Sequence, residues 1–204
     1  MFPLNFIRLS TVLIFVLINF WNAIAQQDTI AQWVVEESST LCVDGQSNLN
    51  HFSCSIDKYS NNDTILVTGN YSKPIRLSGE LRMNVASFDC ANSLITKDLR
   101  KTLKSDDYPV MTIRLLTLEC MPSFKQECEN LKGWVEVELA GIMKSCEIQY
   151  SFTKSNNRII QLNGSSRFLF SDFKLSPPRK LAGLIRIKDD FEVHFQLMLK
   201  TVKA

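Results

Sequence analysis

Two histidines, six cysteines and two aspartate pairs are the residues from which this chain could build chemistry. A zinc site needs four N or S ligands brought together, usually announced by a CxxC step or closely spaced histidines. Here the cysteines stand alone at Cys42, Cys54, Cys90, Cys120, Cys128 and Cys146, and only His51 and His194 could add imidazole. No metal site is therefore expected. A cysteine nucleophile needs an electropositive, partly exposed setting, and nothing in the sequence around these cysteines supplies one. Asp106-Asp107 and Asp189-Asp190 lie beside turn signals, where solvated carboxylates are ordinary. There is no GxSxG, HExxH, phosphate-binding glycine loop or dinucleotide fingerprint. The sequence reads as a non-enzyme with no metal and no cofactor.

The residues that remain informative are apolar, so the question becomes which elements arrange them. Met1–Ala25 has one cation, Arg8, then an almost wholly apolar run from Thr11 to Phe20 and a small-residue step at Ala23-Ile24-Ala25. That is the layout of a cleaved signal peptide, with residues 26–204 as the mature domain. The apolar run falls short of the roughly 20 residues that a membrane helix requires. No stable membrane anchor is expected after cleavage. Formal net charge is +2, falling to +1 when Arg8 leaves with the signal, and no basic run is interleaved with aromatics. A nucleic-acid partner is disfavoured. In an exported protein an even cysteine count fits disulfides, and Cys120 with Cys128, flanking a short loop, is the best local pair.

Alternation of period two marks strands with one dry face. Expected strands run over Trp33–Val43, closed by Asp44-Gly45, then Phe52–Ile56, Thr64–Tyr71, Ile75–Val85, Val110–Glu119 and Leu131–Ala140. Glu147–Thr153, Arg158–Leu162, Ser166–Phe170, Gly183–Lys188 and Phe191–Lys200 complete the set, with a last turn at Asp189-Asp190. Between Val85 and Val110, Leu94/Ile95, Leu99 and Leu103 recur at helical spacing among cations, and Pro109 is expected to end that pattern. With eight or more strands and no βαβ alternation, the fold class is mainly all-β, a barrel or sandwich of one domain. Val135, Val137 and Leu139 share one parity, as do Ile148, Tyr150 and Phe152, and Phe168 with Phe170. From periodicity alone, a filled core is favoured over a hollow, because inward apolar strands are what any sandwich needs.

Several segments in order resemble a known family. Gly45–Cys54, Phe88-Asp89-Cys90-Ala91-Asn92, Lys97-Asp98-Leu99 before Asp107-Tyr108-Pro109, Leu139-Ala140-Gly141, Phe170–Pro178 and Ala182–Ile185 are similar in order and spacing to the YceI-like family, in its cysteine-containing form. Lys174 stands where many members have glycine. The resemblance implies a lipocalin-like, extended antiparallel β-barrel of about eight strands with a short helical insert. It also implies a Cys54–Cys90 disulfide and a periplasmic or secreted place in a Gram-negative envelope. The implied function is binding of a polyisoprenoid or other long-chain lipid, with Leu81, Met83, Val85, Ile113, Leu115, Val137, Phe152, Phe168, Phe170 and Phe195 lining the hollow. The helical insert would then cover one end of it. The partner expected is an apolar lipid, and the reading leaves room for a homodimer. The alternative is a filled barrel acting through its surface in envelope stress or adhesion.

Overall fold

A computed structural model describes residues 29–69, 74–124, 128–155, 158–180 and 184–203, so the expected signal peptide lies outside the described residues. The strands are β1 (Thr29–Val35), β2 (Thr40–Ser47), β3 (His51–Ile56), β4 (Thr64–Thr68), β5 (Ile75–Ser78) and β6 (Glu80–Asn84). After a 3-10 turn (Val85–Ser87) come helix α1 (Ser93–Thr102), β7 (Val110–Leu118), β8 (Cys128–Leu139), β9 (Ile142–Lys154) and β10 (Ile159–Leu169). A second 3-10 turn (Phe170–Phe173), β11 (Arg179–Lys180) and β12 (Ile185–Lys203) end the chain. All pairings are antiparallel. The order β1-β4-β5-β7-β8-β9-β10-β12 returns to β1 through the β1–β12 ladder. That is a closed eight-stranded barrel with extra strands.

β12 closes it. One side of this strand pairs with β10 from Phe168↔Phe191 to Ile159↔Lys200, and the other is divided between β2 and β1. The single strand expected over Trp33–Val43 is therefore two, because the chain kinks at Glu36–Ser39 as it passes along β12. The kink keeps its hydrogen bonds: Glu36 N–H donates to Met198 O at 2.8 Å, and Met198 N–H donates to Ser39 Oγ at 2.9 Å. Ile75–Val85 is likewise divided at Gly79, where a Cβ would stand 2.7 Å from Thr64 O.

Other expected turns are strand interior. β2 runs through Asp44-Gly45, and β10 runs through Asn163-Gly164-Ser165. Each glycine lies under an aromatic ring: a Cβ would meet Phe52 at 2.4 Å from Gly45 and Phe195 at 2.3 Å from Gly164. These glycines make room for cross-strand rings rather than reversing the chain. Asp189-Asp190 is also inside a strand, at a register shift between Ile187 and Phe191 against β2, and this bulge bends β12 without ending it.

Helix α1 starts at Asn92, whose side chain accepts from the N–H groups of Leu94 and Ile95. It ends several residues before Pro109, contrary to the expectation from sequence. Lys104 takes a left-handed conformation (φ 54°), and Ser105 N–H donates back to Arg100 O at 3.0 Å. That is a Schellman closure, which stops the helix before the proline can act. The Cys54–Cys90 disulfide, beside the Ser55↔Asp89 bridge, ties the segment leading into α1 to β3. Cys120 is a free thiol, which corrects the Cys120–Cys128 pairing. Glu119 N–H donates to Lys132 O, so the β7–β8 register sets Cys120 level with Leu131. Cys128 is three residues further along β8, roughly 10 Å, beyond the ~7 Å that a disulfide spans between Cα atoms. The side chain of Cys128 itself lies outside the described residues.

Two stability outcomes follow. The disulfide closes a loop with a sequence separation of 36, so Cys54→Ser with Cys90→Ser should lower unfolding free energy by about 3–4 kcal/mol in urea melts. Lys174 sits at φ 53°, ψ 33° after the second 3-10 turn. Lys174→Gly should raise stability by about 0.5–1 kcal/mol, because left-handed backbone costs glycine nothing in side-chain contact.

Candidate functional site

Inside the barrel, the end that carries α1 holds a partly open cavity of about 40 Å³. β2 supplies Leu41 and Val43, β7 supplies Met111 and Ile113, and β8 supplies Val137 and Leu139. Phe168 comes from β10, and Phe191 and Val193 from β12, all on the inward parity. The end is closed by non-strand pieces: Phe88 before α1, Leu99 and Leu103 of the helix and its cap, and Phe170 and Phe173 of the second 3-10 turn. Every lining side chain is apolar.

Four phenylalanines form the cover on one side. Phe170 and Phe191 have ring centroids 4.7 Å apart, Phe168 and Phe173 5.7 Å, and Phe168 and Phe191 5.9 Å. The turn that carries Phe170 and Phe173 is held by Asp172, which accepts from Leu169 N–H at 3.0 Å and pairs with Lys144 at 3.5 Å. On the other side α1 contributes an amphipathic face, with Leu99 and Thr96 buried and Lys97 and Lys101 exposed. The far end of the barrel is filled by Trp33, Phe152, Tyr150 and Phe195, in ring contacts of 6.1–6.2 Å. Trp33 Nε1 and the Tyr150 hydroxyl are buried there without a hydrogen-bond partner, and burial pushes the Tyr150 phenol well above its ordinary pKa.

A volume of 40 Å³ has room for no more than a few waters, each needing at least roughly 10–15 Å³. Ligand chambers run to roughly 300–1,000 Å³. The interior is thus nearly filled as it stands, and a guest must displace side chains. Since all of the displaced groups would be apolar, no buried hydrogen bond or charge is lost in that movement.

The YceI-like domain model matches residues 33–199, most of the chain. The chain belongs to the YceI-like family. The barrel is similar to a polyisoprenoid-binding domain from Saccharophagus degradans implicated in plant cell wall breakdown: TM-score 0.61, 14% identity, 85% of this chain and 99% of that one. It is also similar to Burkholderia cenocepacia BcnA, with TM-score 0.56, 13% identity and coverage of 78% and 95%. For the Campylobacter jejuni YceI protein the values are 0.52, 16%, 71% and 83%. No curated protein matches the chain. At these identities the solved structures speak for the fold.

In this YceI-like protein the residues expected to line a hollow divide into two groups. Ile113, Val137, Phe168 and Phe170 line the cavity. Leu81, Met83, Val85, Leu115, Phe152 and Phe195 are buried in the packed core but do not border it. Leu81 and Met83 stand opposite Ile113 and Met111 on the β6–β7 ladder, one layer from the cavity wall. Phe88, Leu103 and Phe173 were not expected at the site; of these, only Leu103 carried a periodic signal.

The titratable residues are dispersed. His194 pairs with Cys42 across the β12–β2 ladder and His51 with Gln46 across β2–β3. Those partners stand four positions apart along β2, roughly 13 Å. His194 Nε2 lies 3.4 Å from Asp44 Oδ2 on the exposed outer face. Burial pushes the Cys146 thiol up, and burial with Glu119 and Glu129 does the same for Cys120, so both resist forming the nucleophilic thiolate. Among the described residues no three His, Cys, Asp or Glu side chains form a group that could hold a metal ion.

Leu103→Ala should lower unfolding stability by about 2–5 kcal/mol. It should also enlarge the apolar cavity enough to bind benzene, read as a ligand-dependent rise in melting temperature that the wild type does not show.

Proposed function

We propose that this protein binds one long, slender apolar lipid, of the polyisoprenoid kind or a comparable long chain, and shields it without making or breaking a bond. The observation that carries the reading is the partly open cavity with wholly apolar walls, covered by pieces that are not strands. The name of the S. degradans neighbour as a polyisoprenoid-binding domain supports it. The interior also sets a length requirement. Each buried methylene contributes about 0.8 kcal/mol, so ten of them contribute about 8 kcal/mol. That exceeds the few kcal/mol typical of rearranging a handful of core side chains, whereas a short ligand would not. The route in is between α1 and the Phe170–Phe173 turn, with Phe170 and Leu99 swinging aside.

Residues 1–25 act in this reading as a cleaved leader, and residues 26–204 work in the periplasm or outside a Gram-negative cell. The Cys54–Cys90 disulfide supports an oxidising compartment. The small cavity favours one second reading, a filled barrel acting through its surface.

Native mass spectrometry of protein purified from its own host, followed by organic extraction, separates the two. The lipid-carrier reading expects a retained long-chain lipid, lost in Val137→Trp, which fills the cavity. A lipid-free wild type that also takes up no long-chain isoprenoid from detergent would leave only the filled barrel.

A further inference from the structure

The rim at the cavity end carries a projection that the cavity does not explain. The β2–β3 turn and the start of β12 reach past the closed barrel and are stitched together by one side chain. Asn48 Nδ2 donates to Leu184 O at 2.9 Å, and Arg186 N–H donates to Asn48 Oδ1 at 2.9 Å. Asn48 N–H also donates to Arg186 O at 3.1 Å. These bonds fix two loops that each present a leucine to solvent, Leu49 at 65% exposure and Leu184 at 74%. A solitary exposed leucine is ordinary, whereas two held on one edge by the same asparagine form a paired apolar tip.

Among the described side chains near them, Lys174, Arg186 and Lys188 are cationic, and Gly45 to Ile56 holds no carboxylate. Lys174, Arg186 and Lys188 are exposed, and Lys188 Nζ is steered by a neutral partner, Gln46 Oε1, at 2.9 Å. Of the carboxylates that flank these segments, Asp172 pairs with Lys144 and Asp189 accepts from Ser171 N–H at 3.0 Å, while Asp44, Asp190 and Glu192 line a separate groove with Gln46, His51 and Arg167.

We infer that this leucine-tipped basic projection seats the protein on an anionic phospholipid surface, with Leu49 and Leu184 entering the interface and the surrounding cations facing the headgroups. A nucleic acid would use the cations but leave the two leucines without a role; a lipid surface uses both. The inference stands on the rim alone and holds whether or not the cavity carries a lipid.

The test is co-sedimentation of the protein with vesicles of phosphatidylcholine alone and of phosphatidylcholine with phosphatidylglycerol, at low and high salt. It is run on protein as purified and after delipidation. Binding is expected to the anionic vesicles only, weakened by salt and the same for both preparations. Lys188→Glu should reduce it at least about fivefold, the value of one cation at such a surface. Leu49→Ser with Leu184→Ser should reduce it further, with unchanged urea midpoints, since both side chains are exposed. Equal binding to the uncharged vesicles, or none to the anionic ones, overturns the inference. So does anionic binding that ignores these variants but is lost in Lys97→Glu with Lys101→Glu on α1. Salt-sensitive binding to a DNA duplex without vesicle binding overturns it as well.

Discussion

The fold depends on the pairing of β12. One 19-residue strand satisfies β10 along one side and holds both halves of the kinked β1–β2 segment along the other. Without the β1–β12 ladder the sheet would be open, with two unpaired edges. With it, every strand in the ring must turn one face to a dry interior. Phe191, Phe195, Leu197 and Leu199 on β12 are buried by that requirement, while His194 and Lys200 stay outside. Ring size then sets the bore. Eight strands leave an interior just wide enough for side chains or for one slender ligand, which is why the cavity is small and why only a thin chain suits it.

The two ends of the bore differ in how they are stopped. At the Trp33 end, rings from β1, β9 and β12 fill the space. At the other end the stopper is made of parts with fewer backbone commitments: α1, its preceding loop and the Phe170–Phe173 turn. The disulfide to β3 and the Asn92 cap tie the start of α1 to the barrel. The same end bears the basic, leucine-tipped rim. The proposed surface contact and the proposed entry to the cavity therefore share one pole of the molecule.

Much of this was legible in the sequence, and the failures have physical causes. Strand parity was readable because burial on one face leaves a period of two, as in Val135, Val137 and Leu139. The face of α1 was readable from Leu99 and Leu103 for the same kind of reason. Breaks were misread where a residue type has two uses. Gly45 and Gly164 look like turn residues, yet they are strand residues beneath Phe52 and Phe195. Asp189-Asp190 looks like a turn and is a bulge. The Cys120–Cys128 pairing failed because register, which no local pattern encodes, slides the two past each other. The cavity wall was half legible. Ile113, Val137, Phe168 and Phe170 lie on strand parity or next to it, whereas Phe88 and Phe173 come from irregular segments with no period to read.

On the proposed function, the packed interior yields to one long apolar chain at the α1 end. A crystal structure of the protein soaked with a long-chain isoprenoid alcohol tests this. Continuous tubular density is expected, running inward from between Leu99 and Phe170 past Ile113 and Val137, with the phenylalanine cover displaced. An interior packed as it is now, with the alcohol absent or bound only outside the barrel, would contradict it.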